Sequence, residues 1–234
     1  MKYYIYVSEA KVDMMFSQIP RRTRDRIATE LKFDLKLFST TFKESETKDT
    51  LYSKLKLVVD YLQKNFDIGT IDSPKEYFMG NLPMRWGPFP TYEEKPSVVY
   101  FVGHTNSTIL GLGGSLKHVI GYQGDLSFSP ISASNFTPYL LSVLEGELDL
   151  TETEKESEDW RMAQAISYPP YEDRNEMALS VVADSLKELR GPEQQLEFLA
   201  RKLIVDERVV LGTPIVVLGT PIYVALADMN SATM

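Results

Sequence analysis

The chain of 234 residues contains no cysteine and only two histidines, His104 and His118. The absence of cysteine excludes disulfides, thiolate nucleophiles and cysteine-ligated zinc. With so few histidines, any imidazole-based metal site or acid–base pair depends on these two residues. A cysteine-free chain suits a reducing compartment, and we therefore predict a cytoplasmic protein.

Long apolar runs are also missing: no stretch approaches the ~18 apolar residues that a membrane-spanning helix needs. Polar residues 8–13 follow the first apolar residues too soon for the core of a signal peptide. We therefore expect no membrane association. Basic residues are fewer than acidic ones, 25 against 33, and the formal net charge is −8. Because such a chain repels a phosphate backbone, general nucleic-acid binding is unlikely.

The residues that are present are those of a globular protein, with 43% apolar and 25% charged side chains. A chain of this length can bury one large core. We predict a single α+β domain over residues 1–234, and the acidic stretch 149–159 is the candidate for an internal boundary.

Periodicity predicts alternating elements in the first third of the chain. Residues 2–7 are aromatic and β-branched, as in a strand, and Ser8 is placed to cap a helix over residues 9–18. Residues 31–38 alternate apolar and charged side chains, which predicts a half-buried strand. Residues 49–66 carry apolar side chains at three- and four-residue steps and predict an amphipathic helix.

The middle and the end of the chain complete the predicted fold. Residues 77–128 are rich in glycine, proline and aromatics, and short strand-like runs there predict an antiparallel meander. Two apolar stripes of helical spacing flank Gly191 and Pro192, and they predict a C-terminal helical hairpin followed by a final strand. The stripes are Ala178, Val181, Val182, Leu186 and Leu189, and then Leu196, Leu199, Ala200 and Leu203. The predicted fold class is α+β, a mixed, mainly antiparallel sheet flanked by helices.

Both histidines fall in the glycine-rich segment 103–121, which also contains Gly113, Gly114 and Ser115. Glycines let a backbone approach an anion closely, so this segment is a candidate ligand cradle. Its spacing matches neither the dinucleotide-binding fingerprint nor the phosphate loop. An ordinary β-turn or bulge between two strands is the competing interpretation.

The segment NLPMRWGPFP, residues 81–90, places Arg85 beside Trp86. A guanidinium and an indole together can bind planar or anionic ligands by bidentate hydrogen bonding and stacking. The alternative is a core tryptophan next to a surface arginine. We predict a ligand site formed by Arg85, Trp86, His104, Gly113, Gly114, Ser115 and His118.

Catalytic and metal-binding arrangements are weaker hypotheses. Ser115 with His118 as its base lacks an orienting carboxylate and a nucleophile motif. His104, His118 and Asp125 could form a metal triad, but two histidines are a thin basis for one. We predict no metal and no cofactor. The arginine-rich segment 20–26 could contact phosphate, RNA or an acidic partner, but a solvated turn or helix start is the favoured interpretation, because local charge runs usually face water.

Six segments in this order resemble one family: YIYVSEAKVDMMFSQIP, LKFDLKL, NLPMRWGPF, GLGGSLKHVIG, GPEQQLEFLARKL and LGTPIYVALAD. They are similar to the uncharacterised bacterial domain-of-unknown-function family numbered 7019, over nearly the whole chain. The resemblance implies a bacterial cytosolic protein of the kind found near signalling and conflict genes. It implies no activity and no catalytic residues. The family pattern has one LGTP stretch before YVALAD, whereas this chain has two.

These observations predict a ligand-sensing or interaction module of a bacterial cytosolic system, possibly antiphage, that binds a small anionic or nucleotide-like ligand. One alternative is a hydrolase or nucleotide-processing enzyme that uses His104, His118 and Ser115. Another is a structural subunit that assembles with copies of itself or with a protein partner. The sequence leaves these alternatives open.

The segment 209–222, VVLGTPIVVLGTPI, repeats seven residues in tandem. Seven is odd and a strand repeats every two residues, so the two copies would face opposite sides of one straight strand. Pro214 and Pro221 each remove a backbone donor, which predicts short extended pieces joined by Gly-Thr-Pro bends. We interpret the repeat as a duplication and predict that the second copy, leading into Tyr223, takes the core position.

Overall fold

The computed structural model describes residues 2–36, 50–88, 98–123, 192–206 and 214–227, together with Leu179, Val182 and Ala183. The chain divides into two compact units, one formed by Met1–Val7 and Gly69–Met234 and the other by Ser8–Ile68. The predicted boundary at 149–159 lies outside the described residues. The elements in order are β1 (Tyr3–Val7), α1 (Glu9–Gln18), α2 (Arg21–Lys36), α3 (Leu51–Asn65), β2 (Ile68–Gly69), β3 (Tyr77–Pro88), β4 (Val98–His104), β5 (Thr108–Ser115), β6 (Gln194–Val205) and β7 (Ile215–Leu226).

The unit Ser8–Ile68 is helical. Helix α1 has the predicted bounds, although the Ser8 side chain forms no capping hydrogen bond. Helix α3 begins after Thr50, whose hydroxyl accepts a hydrogen bond from the Ser53 N–H and so caps the first turn. Both α1 and α2 pack against α3. The apolar side chains that this packing buries are Val12, Ile27, Leu55, Leu57, Val58 and Leu62.

The other unit is built on a closed five-stranded β-barrel. Strands β3, β4 and β5 form an antiparallel meander, β5 pairs in parallel with β7, and β6 pairs antiparallel with both β7 and β3. The long strand β3 makes closure possible, because residues 77–84 pair with β6 and residues 84–88 pair with β4. This is the Greek-key strand order of the OB-fold barrel. Strand β1 pairs with the far end of β7.

Side chains fill the barrel interior, as five strands leave no room for a channel. Alternate residues of each strand point inward, so Leu82, Met84 and Trp86 of β3 face the same interior as Phe101 of β4. The buried residues of the hydrophobic cluster formed by the barrel strands and their neighbours are Ile5, Tyr6, Ile71, Phe78, Leu82, Met84, Val99, Phe101, Leu110, Leu112, Leu116, Leu196, Phe198, Ala200, Val217 and Val224. The core of this unit is therefore the inside of the barrel.

The predicted α+β fold class is wrong: the described residues are mostly strands, five of which close a barrel, and three helices with defined bounds belong to the other unit. The predicted C-terminal helical hairpin fails at its second helix, because residues 194–205 form strand β6. Leu196 and Ala200 face the barrel interior while Leu199 is buried on the outer side, opposite Tyr223. A strand buried on both faces loses its alternation, and the remaining apolar spacing imitates a helix.

Two further local predictions are wrong. The strand predicted over residues 31–38 is occupied up to Lys36 by helix α2. Its alternation conceals a second pattern, since Ile27, Leu31 and Leu35 recur every four residues and satisfy the helical period equally well. The run KHVIGY forms a short 3-10 turn at Leu116–His118 and a single bridge to β1 instead of a strand.

The tandem repeat enters the barrel through its second copy, as predicted. Val217 and Leu218 are fully buried in β7, whereas residues 209–213 of the first copy lie outside the described residues. The expected bend is wrong at the second Gly-Thr-Pro, residues 219–221, where β7 continues as one strand; the first, residues 212–214, lies mostly outside the described residues. The pairing with β6 shifts by one residue between Pro221 and Tyr223, so a bulge accommodates the proline and resets the side-chain alternation.

Excision of one repeat unit provides a test of this assignment. Removing residues 209–215 or 216–222 produces the same sequence, and it shortens the connection between the paired residues Val205 and Val217 from eleven residues to four. A four-residue loop suits a β-hairpin, and loop-closure entropy then favours folding by about 1 kcal/mol. We expect urea unfolding of the excised chain to give a free energy within about 1 kcal/mol of the original value. A loss of more than about twice that amount would show that the first copy belongs to the core.

Candidate functional site

A groove of about 370 Å³ lies on the outer face of the barrel, where β3 pairs with β4 and β6 begins. In the β3–β4 register, Arg85 is opposite Val102 and the next outward residue, Pro83, lies beside His104. On the other side of β3, Glu193 immediately precedes β6. The residues that line the groove are Pro83, Arg85, Val102, Gly103, His104 and Glu193. Two of the predicted site residues, Arg85 and His104, therefore share one cavity.

The charged side chains that line the groove are Arg85 and Glu193, which form an ion pair. The Arg85 Nη2 atom lies 3.3 Å from Oε1 of Glu193, and both side chains remain partly exposed, at 37% and 52%. The Nε atom of Arg85 is shielded from solvent and has no hydrogen-bond acceptor among the described residues. Such an exposed ion pair contributes little to stability, while a shielded donor without a partner is unfavourable. The arrangement is thus better suited to binding than to folding.

Trp86 faces the opposite side of the strand from Arg85, because adjacent residues of a strand alternate between faces. Its indole ring stacks on Phe101 with ring centroids 5.7 Å apart, and its Nε1–H donates to Oε1 of Gln194 at 2.9 Å. The two neighbouring residues thus reach two consecutive residues, Glu193 and Gln194, from opposite sides of the sheet. The structure does not bring the indole and the guanidinium together as one ligand clamp.

The turn that follows His104 is held by Asp72. Three hydroxyls, those of Thr105, Ser107 and Thr108, donate to the same carboxylate oxygen of Asp72 at 2.6, 2.7 and 2.8 Å. These hydrogen bonds, that from Thr105 first, lower the pKa of Asp72 from its ordinary value. The Nδ1 atom of His104 lies 3.2 Å from the Thr105 carbonyl oxygen. Asp72 therefore fixes the β4–β5 turn that orients the imidazole at the groove.

Replacing Asp72 by asparagine tests whether these three hydrogen bonds hold the β4–β5 turn. Because the folded state lowers the pKa of Asp72, the unfolded chain binds the proton more tightly, and the stabilisation is present above the unfolded pKa and lost as the pH falls through the folded one. We expect Asp72→Asn to lose about 1 kcal/mol of unfolding free energy at pH 7. In urea titrations the gap between the two proteins should close below the ordinary aspartate pKa of 3.8. A gap that persists undiminished there would contradict the assignment.

The glycine-rich run in β5 makes room for tyrosine rings. A Cβ atom at Gly114 would lie 2.5 Å from Oη of Tyr6, and one at Gly111 would overlap the Tyr100 hydroxyl. Gly113 is buried opposite Tyr100 in the β4–β5 ladder. These contacts explain Gly111 and Gly114 by packing. The prediction that Gly113 and Gly114 cradle a ligand stays a prediction, and neither lines the groove at Arg85.

His104 lies at the opposite end of the barrel from Ser115 and His118. His104 pairs with Ile109 at the start of β5, whereas Ser115 ends that strand six residues later, about 20 Å away. His118 follows in the short 3-10 turn, with its ring edge-on to Tyr6 at 6.0 Å. The structure therefore does not assemble His104 with Ser115 and His118.

The remaining sequence candidates are placed as follows. Asp125 lies outside the described residues, and within the described part no cluster of three or more His, Asp or Glu side chains could hold a metal ion. The arginine-rich segment opens helix α2, where Arg21 and Arg22 are exposed. The Arg24 guanidinium lies over the Phe16 ring, 4.7 Å from its centroid. Packing within the helical unit thus uses one of these arginines.

None of the helices in the described ranges is long and apolar enough to cross a membrane. No curated protein and no solved structure matches the chain. The sequence profile of one family of unknown function, DUF7019, matches residues 2–228, which is nearly the whole chain. The chain therefore belongs to the family of unknown function DUF7019.

Proposed function

We propose that this chain is a non-catalytic ligand-binding module and that the groove at Arg85 holds a small, nucleotide-like ligand. The observation that carries the proposal is the part-exposed Arg85 side chain in the groove, which pairs with Glu193 through Nη2 at 3.3 Å. Its Nε–H is shielded, but a guanidinium has five N–H donors, and a ligand oxygen placed against its outer nitrogens gains a charge-assisted hydrogen bond. A volume of about 370 Å³ suits a mononucleotide-sized molecule.

The barrel topology alone does not carry this proposal, because one fold serves many functions. OB-fold barrels that bind single strands use the outer face of their second and third strands. In this chain that face, on β4 and β5, is buried: Tyr100 and Val102 are inaccessible, and Val182 lies over Gly111. The net charge of −8 also opposes a polyanionic strand. Both observations favour a single small ligand in the neighbouring groove.

The biological setting of the proposal comes from the family resemblance. A bacterial signalling or conflict system, such as an antiphage system, would use such a module to sense a nucleotide ligand and report its presence to a partner. Non-catalytic sensing is favoured because Ser115 and His118 lie at the far end of the barrel from His104, and the described part of the groove contains no nucleophile–base pair.

Arg85→Gln tests the proposal, and the chain provides a matched control. Arg201 of β6 forms an ion pair of the same 3.3 Å length with Glu76, but it lies outside the groove. Calorimetric titrations would use AMP, GMP, CMP, UMP and inorganic phosphate. We expect Arg201→Gln to bind like the original chain and Arg85→Gln to lose roughly 10- to 100-fold in affinity, the equivalent of one charge-assisted hydrogen bond.

Three results would contradict the proposal. Equal affinities for the two arginine variants would show that Arg85 is not the ligand-binding group, and no binding of any compound by the original chain would leave the groove without a nucleotide-like ligand. Turnover of a nucleotide that His118→Ala abolishes, in a variant with unchanged circular dichroism, would show an enzyme instead of a sensor.

A further inference from the structure

Glu193 gives the groove a second recognition element beside Arg85. Its carboxylate oxygen lies 3.3 Å from Arg85 Nη2, so an acceptor-only group stands directly next to a donor-only group. One positive and one negative charge leave this part of the groove nearly neutral. A phosphate placed on Arg85 would bring its oxygens close to the Glu193 carboxylate, and the like charges would repel. The pair is therefore a poor site for a compact polyanion.

A ligand that presents an acceptor and an N–H side by side fits this pair well. The acceptor would take an N–H of the outer guanidinium nitrogens of Arg85, and the ligand N–H would donate to Glu193. Adjacent acceptor and donor atoms in one plane are the feature that the hydrogen-bonding edge of every nucleobase shares. A fully ionised phosphate has no donor, and a sugar hydroxyl can donate to Glu193 but does not hold an acceptor rigidly beside the donor in one plane.

Three of the residues that line the groove, Pro83, Val102 and Gly103, have no charged or hydrogen-bonding side chain. Pro83 contributes a ring without a backbone donor, whereas the Val102 side chain is almost fully buried. Gly103 adds bare backbone, because a Cβ there would point away into the Pro83 carbonyl oxygen at 2.6 Å and into Met84 at 3.0 Å. A planar heterocycle can lie on such a surface with its edge toward the charged pair.

We infer that Glu193 is a specificity-determining residue of this site and that the groove takes the base edge of a free nucleotide, with Arg85 and Glu193 bridging its adjacent acceptor and N–H. This inference rests on the proposed function and names its ligand class. The phosphate of the nucleotide remains in the open part of the groove, away from the carboxylate. Glu193 therefore selects for the base and against the phosphate.

The test compares Glu193→Ala with Glu76→Ala, which removes the same carboxylate from the matched ion pair to Arg201. The probes are UMP and GMP, which carry a base edge, and ribose 5-phosphate, which carries the same phosphate without a base. We expect the original chain and Glu76→Ala to bind the tighter of the two nucleotides at least about tenfold better than ribose 5-phosphate. In Glu193→Ala, nucleotide affinity should fall about tenfold while ribose 5-phosphate binding strengthens, so that the preference disappears.

The outcomes separate this inference from the proposed function. If Glu193→Ala binds all three probes more tightly, the Glu193 carboxylate competes with the ligand for Arg85. The inference is then overturned, while the proposed binding at Arg85 is retained. If a single-stranded oligonucleotide binds more than about tenfold tighter than either nucleotide, the ligand is a strand and the inference also fails. If Arg85→Gln leaves nucleotide binding unchanged, the proposed function itself fails.

Discussion

Phe101→Ala is expected to lower the free energy of unfolding by about 3–5 kcal/mol, the range for deleting a fully buried aromatic ring. The Phe101 side chain is inaccessible to solvent and lies at the centre of the barrel. It stacks on Trp86 and meets Tyr6 edge-on with centroids 6.0 Å apart, so its removal leaves a cavity and two aromatic contacts unmade.

Urea titration followed by circular dichroism measures this loss, with Tyr3→Ala as the control. The Tyr3 side chain is 72% exposed, and its removal should change stability by less than about 0.5 kcal/mol. If Phe101→Ala does not fold, Phe101→Leu is the alternative. It preserves most of the side-chain volume and should lower the free energy of unfolding by about 1.5–3 kcal/mol. Equal losses for Phe101→Leu and Tyr3→Ala would show that the ring does not support the barrel. Such a result would also undermine the groove, which is formed by the outer face of the same two strands.

The elements that were predicted correctly are those whose sequence pattern lies within one short stretch of the chain. Helix α1 has its predicted bounds, and α3 begins and ends within two residues of its predicted bounds. Strand β1 coincides with the first aromatic run. The meander of β3, β4 and β5 was also predicted, because short connections permit little other than antiparallel pairing. In each case the determining residues are neighbours along the chain.

Closure of the barrel could not be read from the sequence because it depends on distant residues. Tyr77 of β3 pairs with Arg201 of β6, and Thr108 of β5 pairs with Ile215 of β7. No local period encodes such pairings, and β6 is apolar on both faces where it is buried between its neighbours. The helical spacing of Leu196, Leu199 and Ala200 was therefore an accident of burial on two sides.

The candidate site likewise contains residues that the sequence could point to and one that it could not. Arg85 and His104 were singled out for their chemistry, and the β3–β4 register places both at one groove, while their role in binding stays a prediction. Glu193 was missed because its neighbours, Gly191 and Pro192, marked only a break between two supposed helices. Its position beside Arg85 follows from the pairing of β3 with β6, which no local pattern reveals.

Gly114→Ala is expected to lower the free energy of unfolding by about 1–3 kcal/mol, although alanine in a strand interior usually stabilises by about 0.5–1 kcal/mol relative to glycine. The sign reverses because the new methyl group would lie 2.5 Å from Oη and 2.6 Å from Cζ of Tyr6, whose ring is buried and cannot move away cheaply. Ser115→Ala, one residue further and half-buried, is the control and should be close to neutral.

A double-mutant cycle with Tyr6→Leu identifies the cause of this loss. Shortening the ring removes the atoms that the methyl group would strike, so we expect Gly114→Ala to cost less in the Tyr6→Leu background by about 1 kcal/mol or more. If the cost is the same in both backgrounds, the glycine is required for another reason, and a backbone contact with a ligand becomes the better explanation. In that case nucleotide affinity should also fall in the folded Gly114→Ala protein. The packing assignment predicts instead that stability is lost and that the affinity of the folded protein for ligand at Arg85 is preserved.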